Sequence, residues 1–122
     1  ELPFAKINIL QDDIAEVIAN ADIEVNVLMV DELHHFLISK LKSPFSILVN
    51  RCNQYTFDFD AQLKVGDIEQ IHAVAAVTYT KTSTLVAKGM VDMPRSSTRI
   101  TQFFSVRDEA LKWLIDEQNK LA

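Results

Sequence analysis

Val27-Leu-Met-Val-Asp-Glu-Leu-His-His-Phe-Leu-Ile-Ser-Lys-Leu-Lys42, followed after Ser43-Pro44 by Phe45-Ser-Ile-Leu-Val-Asn50, decides the fold class. In the first part Val30, Leu33, Phe36, Leu37 and Leu41 recur at steps of three and four, which gives a helix one apolar stripe. Pro44 lies just past its end, where a helix stops. The second part is short and apolar on both faces, as a strand inside a sheet is. A helix that leads straight into a buried strand is the repeating step of an α/β fold.

Outward from this stretch the step repeats. Upstream, Phe4 to Leu10 alternates in part (Phe4, Ile7, Ile9 against Lys6, Asn8) and reads as a strand. Gln11-Asp12-Asp13 is a polar turn. Ile14 to Ala19 then reads either as the second strand of a hairpin or as the start of a short helix. Downstream, Asp60 to Ile71 places Leu63, Ile68 and Ile71 at helical spacing, with Gly66 as a tolerated weak point. His72-Ala-Val-Ala-Ala-Val-Thr-Tyr-Thr80 is rich in small and β-branched residues and predicts a strand. Thr82 or Ser83 caps a helix over about Thr84 to Asp92, ended by Pro94. Arg99 to Phe104 is a strand. Ser105-Val-Arg-Asp108 fits a capping pattern for a last helix, whose apolar face is Ala110, Leu111, Leu114 and Leu121, with Trp113 beside it.

The order β-β-α-β-α-β-α-β-α predicts right-handed crossovers and a mostly parallel sheet that starts with an antiparallel hairpin. The expected fold is α/β: a single four- to five-stranded mixed β-sheet with helices packed mainly on one face. A chain of 122 residues buries about two-thirds of its surface on folding. That suits one core, so residues 1–122 are read as a single domain with one helical layer.

Charge and residue usage narrow the function. Twelve basic and seventeen acidic residues give a net charge of −5, and the basic ones are scattered. Nucleic acid is not an expected partner, because phosphate neutralisation needs a basic patch. No apolar run is long enough to span a membrane, and no secretory signal opens the sequence. The single cysteine, Cys52, cannot make an internal disulfide, so a cytoplasmic setting is expected. With only two glycines, Gly66 and Gly89, the chain lacks the phosphate cradle of Rossmann and P-loop proteins. No cofactor is expected.

Three stretches anchor the layout: Ile47-Leu-Val-Asn50, Ile71-His-Ala-Val-Ala-Ala-Val77 and Phe104-Ser-Val-Arg-Asp-Glu-Ala110-Leu-Lys-Trp113-Leu114. Together the layout from about Val27 onward resembles the SpoIIAA-like branch of the STAS fold. The resemblance implies a small non-enzymatic module. Anti-sigma-factor antagonists of this branch bind a protein kinase partner and are switched by phosphorylation of a serine in an Asp-Ser-Ser-Gly segment. That segment aligns near Phe59-Asp60-Ala61-Gln62, where no hydroxyl and no glycine stand. The expected function is therefore a protein-interaction or regulatory module without the usual phosphorylatable serine, acting on a protein partner or on itself as a homodimer. The alternative is a carrier of a small apolar or lipid-like molecule, held between sheet and helices.

His34 and His35 are adjacent, so on a helix their rings diverge by about 100° and cannot chelate one metal. A solvated or capping role, with Asp31 in reach, fits them better, and no metal is expected. Cys52 and His72 should sit at opposite ends of the sheet, too far apart for a catalytic pair. The hydroxyls of Ser96-Ser-Thr and Lys81-Thr-Ser-Thr lack a Gly-x-Ser-x-Gly elbow and read as caps and turns. Tyr55-Thr-Phe-Asp-Phe59 alternates three aromatics, which in an extended chain point the same way. The candidate partner- or ligand-binding residues are Tyr55, Phe57, Asp58 and Asp60, joined by Met90 and Met93 from the predicted third helix; for the aromatics core packing is the plainer reading, and for Asp58 and Asp60 a solvent-facing edge. No catalytic residue is expected.

Overall fold

A computed structural model describes residues 2–80, 85 and 100–121. The predicted third helix, with Met90 and Met93, lies outside these residues. The chain opens with a hairpin of β1 (Ala5–Gln11) and β2 (Ile14–Ala19), antiparallel across a tight turn. The ambiguous Ile14–Ala19 segment is thus a strand. Its near-complete burial explains why its sequence lacks the clean alternation of a half-exposed strand.

Two residues, β3 (Glu24–Val25), precede helix α1 (Val27–Lys40). Asn26 caps α1 by accepting the amide of Met29 at 2.9 Å, one of the donors left orphaned at a helix start. The central strand β4 (Phe45–Arg51) follows, then the short β5 (Thr56–Phe57), which pairs with β3 to form a separate two-stranded ribbon. Helix α2 (Phe59–Lys64) leads to β6 (Ile71–Thr78). The last elements are β7 (Ile100–Phe104) and α3 (Arg107–Asn119).

The main sheet has the order β1-β2-β4-β6-β7. All its pairings after the hairpin are parallel, as βαβ crossovers require. The fold is the expected mixed five-stranded α/β sheet. Its faces follow from strand alternation. Ile47 and Val49 of β4 face α1, whose Leu33 and Leu37 meet Val17 and Val74 there. Ser46, Leu48 and Asn50 face the other way.

The second face is covered as well, so the expected single helical layer does not hold. α1 and α2 cover one side, but α3 covers the opposite side, so there are two helical layers. Ala110 and Leu114 of α3 pack on Ile14, Leu48, Ala73, Ala75 and Val77. The alanines of β6 make this possible, since small side chains let the helix approach the sheet. Trp113 packs against Phe104 with ring centroids 5.8 Å apart.

Two helix boundaries also differ from the sequence reading. α2 stops at Lys64 rather than running to Ile71, because Gly66 takes φ 72°, the left-handed conformation that ends helices. α3 starts at Arg107, and its N-cap is Val106, which supplies no side-chain bond, so Ser105 is not the cap. Asp108 and Glu109 in the first turn complement the helix dipole instead.

Candidate functional site

The parallel strands end on one edge of the sheet, and there the chain gathers Arg51, Tyr55, Phe57 and the first turns of α1 and α2. This is the edge at which open α/β sheets hold ligands. Beneath it, between the sheet and α1, lies a cavity of about 130 Å³. Its floor is the row of side chains facing α1: Val17 from β2, Ile47 and Val49 from β4, Val74 and Ala76 from β6. Its roof is Val30, Leu33 and Leu37 of α1. Tyr55 and Phe57 close the upper end, with their rings edge to face at 5.5 Å.

Arg51 is the charged group of this lining. It stands on β4 in register with Ile47 and Val49 and is only 6% exposed. A guanidinium has five N–H donors. Nη1 donates to the Tyr55 hydroxyl at 3.2 Å, and the guanidinium lies 4.5 Å above the Tyr55 ring. Nε has no hydrogen-bond partner. No carboxylate among the described residues pairs with Arg51. Burial holds the Tyr55 hydroxyl above its ordinary pKa, although the Arg51 charge works against that, so it remains a neutral partner.

His34 also borders the cavity. Its Nε2 accepts the Gly66 amide at 3.0 Å, which ties α1 to the turn after α2 and places the ring proton on Nδ1. Asp31, weighed as a partner for the histidines, pairs instead with Lys64 at 3.5 Å.

Of the residues singled out in the sequence, Tyr55 and Phe57 line the cavity and belong to or border the core there. Phe59 does not join them. The chain turns into α2 at that residue, and its ring is 66% exposed. Asp58 and Asp60 are outside the lining. Asp58 is the N-cap of α2, accepting the Ala61 amide at 2.8 Å, and Asp60 is exposed on the first turn. Met90 and Met93 lie outside the described residues. Cys52 is exposed just after β4, whereas His72 stands at the other end of β6, where Nε2 meets Glu117 of α3 at 3.2 Å. Among the described residues, no three His, Cys, Asp or Glu side chains gather as metal ligands would.

Arg51 and the α1 wall were not among the sequence candidates. The available signal was a basic residue closing an otherwise apolar central strand, at the edge where ligands bind.

The opposite face holds a polar cluster of another kind. Glu16 of β2 is buried and accepts from Asn8, Asn50 and Arg107, while Tyr79 donates to Asn50 at 2.9 Å. Every member is paired. Such a network ties strands and α3 together.

No helix among the described residues is long and apolar enough to cross a membrane. Compared with models of known protein families and with curated protein sequences, the chain matches none.

Proposed function

We propose that this protein is a non-enzymatic binding domain that takes up a small apolar molecule between its sheet and α1. The carrying observation is the cavity itself, apolar on floor and roof, with Arg51 in its lining at the ligand-binding edge of the sheet. Its volume is close to the roughly 150 Å³ of an apolar cavity that stays dry and accepts benzene. Ligand-free, such a space forfeits packing contacts, so a molecule that fills it is stabilising.

Native mass spectrometry of protein purified from its own cells tests this. A reproducible adduct that is lost on denaturation is the expected result. In Val49→Phe, a ring fills the floor, and the adduct should disappear while the domain stays folded. Wild-type protein with no adduct, and no response to added apolar molecules, would sink the proposal.

A second reading rests on a different observation. Leu28 and Phe59, in the first turns of α1 and α2, are 76% and 66% exposed. Large apolar side chains at one edge suit a protein partner or a second copy of the chain. The strand and helix order supports a SpoIIAA-like STAS assignment, within which such an interaction module is at home. Phe59-Asp60-Ala61-Gln62 opens α2 without a hydroxyl, so any regulation would not pass through a serine there. The lone, exposed Cys52 supports a cytoplasmic setting. Phe59→Ser and Leu28→Ser should abolish self-association or partner capture under this reading and leave cavity binding unchanged.

A further inference from the structure

We infer that the cavity's ligand is a compact apolar monocarboxylate whose carboxylate sits on Arg51. This deepens the binding function proposed above and rests on it.

The inference starts from an imbalance. A buried charge is costly unless it is paired and hydrogen-bonded. Arg51 is 94% buried by its 6% exposure, yet its one hydrogen bond goes to a neutral hydroxyl and its Nε goes unsatisfied. Among the described residues the other buried charges are paired. Glu16 on the other face has Arg107, and Glu117 has His72 and Lys120. Arg51, a lining residue of the cavity, is the exception among them.

Geometry then selects the anion. Ile47, Val49 and Arg51 follow one another on the same face of β4, so the strand carries the floor about 13 Å from the Cα of Ile47 to that of Arg51. A ligand lying along it has its apolar body against Val17, Ile47 and Val74 and its head at Arg51. A guanidinium fork matches a planar carboxylate in a two-bond arrangement. One cation balances one negative charge. A phosphate dianion would leave a second charge against apolar walls, which the site has nothing to offset. The volume of about 130 Å³ matches an apolar body of about six carbons. The Tyr55 ring stacks on the guanidinium and holds it in place, and the Tyr55 hydroxyl occupies only Nη1.

The test uses hexanoate and 1-hexanol, which share a chain and differ in charge. Both are titrated into the full chain, with the methyl resonances of Val17, Ile47 and Val74 as the readout. We expect hexanoate to bind at least tenfold more tightly than 1-hexanol. In Arg51→Met, which keeps length and removes charge, that preference should vanish while 1-hexanol still binds. Tyr55→Phe frees Nη1 and should keep the preference, which guards against a variant that fails to fold. Equal binding of the two probes to the wild type would overturn the inference and leave the apolar cavity function standing. If neither probe moves those methyls, both fall.

Discussion

Glu16 of β2 and Arg107 of α3, 91 residues apart in the chain, meet through two hydrogen bonds of 2.8 and 3.0 Å. The pair anchors α3 to the hairpin side of the sheet. Arg107 is the main cause that holds the Glu16 carboxyl at about 2, well below its ordinary 4.5. Burial opposes this shift, and Asn50 and Asn8 add to it.

Because folding lowers this pKa, the unfolded chain takes up the proton more readily than the folded one. The stabilisation is complete above about pH 4.5 and fades as pH falls toward about 2. A shift of that size corresponds to about 3 kcal/mol. Arg107 is 37% exposed, so solvent and salt screen the pair to about 1–2 kcal/mol. Urea unfolding should show Glu16→Gln less stable by that amount at pH 7 and nearly equal to wild type near pH 2. Parallel pH curves for the two proteins would contradict this account.

Arg51 should behave in the opposite way. Removing one member of a satisfied pair strands its partner, but Arg51 has no acidic partner to strand. Arg51→Met is expected to leave ligand-free stability unchanged or raise it by about 1 kcal/mol. A loss above about 2 kcal/mol in denaturant titration would mean that the guanidinium has a structural role.

Gly66 is required by its backbone. At φ 72° any residue with a Cβ is strained, and the turn also presents the amide that His34 accepts. Gly66→Ala should cost about 1–2 kcal/mol, read as a lower melting temperature. Gly66→Asn, which tolerates this conformation better, should recover part of the loss.

Gln118 closes the far end of α3. Its Oε1 accepts from the Ser46 hydroxyl, and its Nε2 donates to Asp13 at 2.9 Å and to the Pro44 carbonyl at 3.0 Å. Gln118→Leu leaves the buried Ser46 hydroxyl without this partner, at about 1–3 kcal/mol, and also removes the charge-assisted bond to Asp13. Chemical denaturation should show a loss of at least about 2 kcal/mol. A loss below about 1 kcal/mol would indicate that water replaces the side chain.

The sheet and the longer helices could be read from the sequence because each buries one periodic face. Val27 to Lys40 has its stripe, and Phe45 to Arg51 its two-sided apolar run. β3 and β5 could not, because two residues carry no period. The end of α2 is hidden in the sequence because Leu63, Ile68 and Ile71 mimic helical spacing across a glycine that ends the helix. The second helical layer is not legible in the sequence because the alanines of β6 look neutral there. They matter only once α3 rests on them. Of the cavity, Tyr55 and Phe57 stood out by their alternation. Arg51 did not, since a basic residue at a strand end reads as solvated until its burial is known.

The placement of Trp113 makes the two faces optically distinct. It is the only tryptophan in the chain, and it packs on Phe104 on the α3 side of the sheet. Tyr55 lies on the other side, against the cavity. Tryptophan emission therefore reports the docking of α3 and is silent to events under α1. A molecule that enters the cavity should alter tyrosine signals alone. Any ligand that shifts the Trp113 spectrum has either bound elsewhere or moved the sheet between the two layers.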